Sequence, residues 1–431
     1  MRLRHPLAAL AAASLLAAPV LAAPASSYDG GDPGRDGEPE LAGWAVLPAD
    51  TFVPGSEPSG HFTGNPAAPF PGQPVQGFSA VHALGGNRYL AMSDNGFGAK
   101  TNSQDYLLRV HRIATDTDAE RVDVRGGFHL SDPDRHIPWT TWRDGGCAEA
   151  AEKPEGLPAG YECPARDRLL TGWDFDLESM QVAPDGTLWF GEEFGPFLLH
   201  TDARGRLLEA PIATPGVKSP QNPTLAEGEQ PNLAASRGFE GMTISPNGRR
   251  LLPMLEGATA EDKAAGRAAD LRIYDVRLRN GSAHPGARFT GDFLRYRLES
   301  PDHALGDLIA VNRHQLLLIE RDGLSGDHAR FKRIYLVDLR DRDKDGYADK
   351  ELLVDLMDLA NPDGVGGFGD PFTFPYVTIE DVEILDEETI AVLNDNNYPA
   401  TGGRGAGVRD VNEYLEIDLG RTLRVDERLL P

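Results

Sequence analysis

Phe239-Glu240-Gly241-Met242 opens a short apolar stretch, turns at Pro246-Asn247-Gly248 and returns to Leu255-Glu256-Gly257. The same phrase recurs at Phe78-Ser79-Ala80-Val81, Leu177-Glu178-Ser179-Met180, Leu305-Gly306-Asp307-Leu308 and Ile379-Glu380-Asp381-Val382. Each copy has a second ending rich in acid or amide. These endings are Ser93-Asp94-Asn95-Gly96, Gly191-Glu192-Glu193-Phe194-Gly195, Ile319-Glu320-Arg321-Asp322-Gly323 and Asn394-Asp395-Asn396-Asn397. Turns such as Gly85-Gly86-Asn87 and Pro184-Asp185-Gly186 divide the two halves of a copy, as in a hairpin.

Further strand signals follow most copies: 197–201 and 206–210, 271–276 and 293–298, 332–339 and 350–356, 413–419 and 422–430. Four strands per unit, repeated, predict an all-β chain folded as a β-propeller. Five four-stranded repeats are legible. Residues 42–53 have strand character and either close the ring or contribute to a sixth blade. Residues 261–270 suggest a short helix between strands. One unit cannot bury its faces alone, so residues 41–431 are expected to form a single domain.

The chain has 431 residues, 40% hydrophobic and 25% charged, with Gly 48 and Pro 33, which suits a turn-rich globular protein. Its net charge of −25 repels nucleic acid and anionic membranes. Arg2 and Arg4 precede an apolar run over residues 7–21, and Ala22, Ala23 and Ala25 offer cleavage sites. Residues 1–25 therefore read as a signal peptide, and 26–40 as a flexible leader. The mature protein is expected to be secreted or periplasmic, monomeric and without a membrane span. Two cysteines, Cys147 and Cys163, are expected to pair in an oxidising compartment and to staple an insertion around residues 130–170.

In a propeller the first strand of each unit lines the central channel. That places Glu178, Glu240, Asp307 and Glu380 near one axis, with Ser79 in the matching slot. The second endings bring Asp94, Glu193, Glu256, Glu320 and Asp395 to one rim. Crowded carboxylates stay ionised only if cations intervene, and oxygen-rich, sulfur-free sites suit Ca²⁺. The alternative is structural: such acids accept backbone N–H bonds and hold blades in register. Asp341, Asp343, Asp345, Tyr347 and Asp349 match the front of a calcium loop, although Leu352 stands where an EF-hand carries Glu. Against calcium there, the sequence also permits an exposed acidic turn.

No G-x-S-x-G, H-E-x-x-H or phosphate-cradling Gly-rich loop with Lys is present. Arg237 and Arg321 are the cations that could meet an anionic substrate beside the acids, or simply pair with them.

With Gly238-Phe239-Glu240-Gly241-Met242, Gly191-Glu192-Glu193-Phe194-Gly195-Pro196 and the Asn394-Asp395-Asn396-Asn397 ending, the chain resembles the phytase-like family described by an esterase-like activity of phytase. The resemblance runs from about residue 42 to the C-terminus. It implies an exported propeller that hydrolyses phosphate or carboxylate esters. Together with the acidic register it gives the leading expectation: calcium-dependent hydrolysis of a small phosphoester by metal-activated water. In that reading Glu178, Glu240 and Glu380 are catalytic with Arg237 and Arg321, while Asp94, Glu193 and Asp395 hold the metal. A lactonase-like propeller using Glu178, Asn394 and Asp395, and a non-catalytic binding propeller, are the alternatives.

Overall fold

The computed structural model describes residues 37–279 and 286–431, so the expected signal peptide and most of the leader lie outside the described residues. The strands form in chain order. β1 (Glu40–Leu47) precedes β2 (Phe78–Ala83), β3 (Arg88–Ser93), β4 (Arg109–Asp116) and β5 (Arg121–His129). A second run is β6 (Leu177–Val182), β7 (Leu188–Glu192), β8 (Phe197–Thr201) and β9 (Ile212–Ala213). A third is β10 (Phe239–Ile244), β11 (Arg250–Leu255), β12 (Asp270–Leu278) and β13 (Ala287–Arg297). The last two runs are β14 (Ala304–Ala310), β15 (Gln315–Arg321), β16 (Lys332–Asp338) and β17 (Asp349–Asp355), then β18 (Thr378–Ile384), β19 (Thr389–Asp395) and β20 (Asn412–Asp418).

β6–β9, β10–β13 and β14–β17 are each a four-stranded antiparallel meander. The remaining strands form an eight-stranded sheet in the order β18-β19-β20-β1-β5-β4-β3-β2. Among the described residues, its two halves are joined in strand pairing only where Val46 of β1 bridges Arg121 of β5. The first strands β2, β6, β10, β14 and β18 touch their neighbours in turn, and β18 returns to β2. The arrangement is all-β and propeller-like.

The apolar clusters lie between consecutive meanders rather than inside them. Leu90, Met92 and Val110 pack on Leu177, Met180 and Phe190. Trp189 and Leu198 pack on Phe239 and Met242, and Ile273 and Tyr296 on Leu305 and Leu318. Ile319 and Ile334 meet Ile379 and Val392. Ala45, Phe78 and Val81 meet Ala391 and Tyr414, which closes the set. Each meander thus covers the apolar face of the next, as a repeat fold requires. Tyr89 and Tyr414, fully buried, join hydroxyls at 2.7 Å across the closing interface.

β1 is the closing strand. It pairs antiparallel with β20 from Glu40↔Asp418 to Leu47↔Asn412. The expected strand over 422–430 does not form; that stretch ends in a 3₁₀ turn at Glu427–Leu429. The N-terminal strand takes its place because it supplies a ladder along all of β20 and leaves no open edge there. In the second meander the outer strand is Ile212–Ala213 rather than 206–210, because Arg206 and Leu207 bridge to Ser131 and Thr201 instead. The expected helix over 261–270 shortens to α2 (Ala260–Ala264), capped by Thr259, before β12 begins at Asp270.

Cys147 and Cys163 form a disulfide across the segment that begins with helix α1 (Gly146–Ala151). Tyr161 of this segment stacks edge-on against Phe62, with ring centroids 4.8 Å apart. Closure by β1 predicts that Ala45→Asp, which places an unpaired carboxylate at a fully buried position, destabilises the fold by about 3 kcal/mol or more. Urea unfolding against a Glu40→Asp control checks this.

Candidate functional site

Each first strand carries the same irregularity. The pairing register slips between Phe78 and Ala80, Leu177 and Ser179, Phe239 and Gly241, Leu305 and Leu308, and Ile379 and Asp381. A bulge leaves one residue unpaired and re-aims its side chain. The residues so released are Ser79, Glu178, Glu240, Gly306 with Asp307, and Glu380. The partner strands end in register: Ser93, Glu192, Leu255, Glu320 and Asn394 face the residue before each bulge. The next residue along is therefore Asp94, Glu193, Glu256, Arg321 or Asp395.

These side chains converge. Oxygens of Asp94, Asp176 and Glu178 lie within 4.8 Å of one another, as do those of Glu193, Glu240 and Glu256. Arg321 reaches into the group from the fourth repeat. Its Nη2 donates to Glu380 Oε1 at 3.0 Å and Glu240 Oε1 at 3.2 Å, and lies 3.5 Å from Glu256 Oε1. Ser79 Oγ donates to Glu380 Oε2 at 3.1 Å. Arg237 pairs with Glu256 from the outer side, with its side chain 44% exposed.

Several expected members sit elsewhere. Glu320 turns away from the mouth and is fully buried, accepting from Tyr296 OH at 2.8 Å and Lys350 Nζ at 3.1 Å. The ladder sets this: Glu320 opposes Leu305, so Arg321 takes the inward position. Asp307 accepts from Leu308 N at 2.6 Å and Val382 N at 3.1 Å, and so ties the fourth repeat to the fifth. Asn394 is used up by backbone, its Oδ1 accepting from Glu413 N at 2.8 Å and its Nδ2 donating to Val411 O at 3.0 Å.

Asp176 is the member that sequence reasoning missed. It accepts from Asn95 Nδ2 at 2.6 Å. The repeat could not reveal it, since Gly77, Gly238 and Thr378 stand at the matching positions. The alternation Asp174-Phe175-Asp176-Leu177-Glu178 was the available signal.

Asp341, Asp343 and Asp345 form a separate group between β16 and β17, with oxygens within 4.8 Å of one another. Gly346, at φ +93°, donates its N–H to Asp341 Oδ2 at 3.1 Å. Tyr347 OH donates to Asp270 Oδ2 at 2.7 Å, and Asp349 accepts from Arg342 N at 2.9 Å.

A family profile described as phytase-like, with esterase-like activity of phytase, matches residues 73–398. The chain belongs to this phytase-like family. An uncharacterized secreted protein of Arthroderma benhamiae is 26% identical over 122 residues, 23% of this chain and 24% of that protein. The match thus spans about a quarter of that relative's length. Among solved structures, a PQQ-bound aldose sugar dehydrogenase from Streptomyces coelicolor is 12% identical, covering 89% of this chain and 99% of its own, with a TM-score of 0.34. The extracellular domains 1–2 of Drosophila Semaphorin 1b are 13% identical, covering 83% and 51%, with a TM-score of 0.32. Likenesses at that level carry no functional weight.

In this phytase-like protein the mouth is electrostatically overloaded. Burial, then the neighbouring Asp176, push Asp94 well above the usual carboxylate range. Burial, then Asp176, Glu240 and Glu380, do the same to Glu178. Glu193 and Glu240 are raised by burial and then by Glu256. Asp395 is raised by burial and then by Asp94. Burial pushes Asp176 up to about 6, and burial with Asp395 pushes Glu380 up to about 8 against the pull of Arg321. Asp381, behind Glu380, is fully buried with neither oxygen partnered among the described residues, and burial followed by Asp307 raises it well above its ordinary value.

The sign of the pH dependence follows. A carboxyl raised in the folded state contributes stability that is complete below its unfolded value and is lost as pH rises through the folded one. In chelator, the melting temperature should therefore fall as pH rises from about 4.5 to 8, across the values of Asp176 and Glu380. Asp381→Asn should melt higher than the parent at pH 8 and equal to it near pH 4. A flat profile, or one that rises with pH, would contradict this assignment.

Proposed function

We propose that the protein is an exported five-bladed propeller that hydrolyses ester bonds at the acidic mouth of its channel with the help of Ca²⁺. The observation that carries the reading is the pair of carboxylate triads, half-buried Asp94 with buried Asp176 and Glu178, and buried Glu193 with Glu240 and Glu256. Family membership supports the ester class. The blade count rests on the ring of first strands, with β1 completing the fifth blade.

The donors fit a hard divalent cation: they are carboxylate oxygens without sulfur, and their mutual repulsion is what a cation relieves. Asp94, Asp176 and Glu178 would hold one ion, with Glu193, Glu240 and Glu256 as the second candidate set. A bound Ca²⁺ would supply a Lewis acid that polarises the ester and lowers the pKa of water. The chain's own groups then set the remaining chemistry. Glu380, raised to about 8, carries its proton near neutral pH and is suited to give it to the leaving oxygen as a general acid. Ser79 and Arg321 hold its two oxygens in place. Arg321 is already shared among carboxylates, so the phosphoester reading leaves anion recognition to Arg237, the half-exposed guanidinium at the rim.

A binding propeller without turnover is the second reading. It is favoured by Glu192, whose carboxylate accepts from Phe194 N at 2.8 Å and from Gly195 N and Phe197 N at 2.7 Å, a purely architectural use of the acid next to Glu193. The Asp341 group is proposed as a structural Ca²⁺ site that fixes the β16–β17 turn.

Purified protein should melt higher in Ca²⁺ than in EDTA and turn over an ester panel only with the ion. Glu240→Gln should lower kcat/KM by about 10²-fold or more while leaving the Ca²⁺-free melting point unchanged or raised. Asp343→Asn with Asp345→Asn should remove part of the Ca²⁺ stabilisation and leave turnover intact. Stabilisation by Ca²⁺ without turnover of any phosphate, carboxylate ester or lactone would leave only the binding propeller.

A further inference from the structure

The bulged starts of the first strands make the acidic mouth, and their other ends make a second opening in the ring. There the last two residues of β2, β6, β10, β14 and β18 together line a chamber of about 280 Å³. Residues 428–431 line it too. A segment from outside the sheets therefore lies across the end of the channel that the acidic mouth does not occupy.

Three polar side chains of the chamber are spent on its own walls. Gln181 Oε1 accepts from Ile244 N at 3.2 Å, Thr243 Oγ1 from Ala310 N at 2.8 Å and Glu383 Oε2 from Ala83 N at 3.2 Å. Each bond joins one first strand to the next, which stiffens the ring at this end. His82 Nδ1 lies 3.8 Å from the same Glu383 oxygen. What the walls still offer is apolar, with Val182 and Ile309 half-buried beneath the crossing segment.

The segment is held in two ways along its length. Leu423 N donates to Glu387 O at 2.7 Å, Asn312 Nδ2 to Arg424 O at 3.0 Å and Asp426 N to Val311 O at 2.8 Å. Beyond Asp426, no hydrogen bond joins it to a blade among the described residues. Arg428 and Leu429 bond back to Asp426 instead. Residues 427–431 thus rest on packing alone. Leu429 packs on the cluster of Leu308 and Leu316 between the third and fourth meanders, and Leu430 on that of Ile319 and Val382 between the fourth and fifth. Pro431 reaches the first repeat, where a Cβ on Gly85 would lie 3.9 Å from its carbonyl carbon.

We propose that this end of the channel is a self-occupied peptide site: residues 427–431 are its resident ligand, seated by Leu429 and Leu430, and they swing out at Asp426 to open it. While seated they stop this end, and ions and small molecules reach the acids through the acidic mouth. The tether explains why two leucines suffice. A short link keeps the segment at an effective concentration on the order of millimolar, so a weak intrinsic affinity fills the site. The ligand chemistry that replaces it is an extended peptide presenting two adjacent leucines. The assignment holds whether or not an ester is turned over at the other end.

The test labels a single thiol. Cys147 and Cys163 are joined to each other and the chain has no further cysteine, so Ile309→Cys at the chamber wall supplies one reactive group. In the full chain a charged alkylating reagent should reach it slowly. Truncation after Asp426 should raise the rate about tenfold or more and move the melting temperature by about 3 °C or less. Leu429→Asp with Leu430→Asp in the full chain should raise the rate as truncation does. A synthetic peptide of residues 424–431 at roughly millimolar concentration should restore protection to the truncated protein, and the same peptide with both leucines replaced by Asp should not. An unchanged labelling rate in both variants, or no protection by the peptide, would overturn the proposal. So would a melting temperature lowered by about 10 °C or more on truncation, since the segment would then be part of the core rather than a stopper.

Discussion

Closing a chain of repeats into a ring brings equivalent side chains of every repeat to one place. Here the equivalent position lies on a bulge, so its side chain is freed from the ladder and turned inward. Glutamate in several repeats at that position means several carboxylates within a few ångströms, with low-dielectric strand walls behind them. Repulsion of that kind is relieved by protons, by a built-in cation or by a bound one. The structure visibly uses the second: the fourth repeat exchanges its glutamate for Gly306 and its rim acid for Arg321.

Those two substitutions belong together. A Cβ on Gly306 would lie 2.0 Å from the carbonyl of Ile379, so the position has no room for a side chain. Arg321 fills the inward position from the second strand and gathers Glu240, Glu256 and Glu380. The acids outside its reach, Asp94, Asp176 and Glu178, are then the least compensated part of the mouth. Site and counter-ion are thus one arrangement, produced by breaking the symmetry of the repeat in a single unit.

Much of this was legible in residue order. The recurrence of Phe239-Glu240-Gly241-Met242 and its relatives indicated the all-β repeat, and the fixed spacing grouped Glu178, Glu240 and Glu380. Some of it was not. Glu320 and Arg321 are adjacent, and a one-residue difference in register decides which faces the mouth. Asp307 resembles a channel acid but accepts backbone N–H groups. Asp176 has no counterpart in the other repeats, so periodicity was silent about it. The terminal strand was misplaced for a similar reason: residues 422–430 have strand-like composition, while the partner that pairs with β20 lies at the other end of the chain.

By itself the sequence determined the repeat, the turns that divide each hairpin, the family and the set of acids that share one position. These are local properties, set by side-chain alternation and by which residues tolerate a turn. Only the tertiary structure decided which acids meet, that Arg321 neutralises part of them, and that β1 completes the last sheet. Each of these depends on the register between strands and on contacts between residues hundreds of positions apart, which spacing along the chain does not encode.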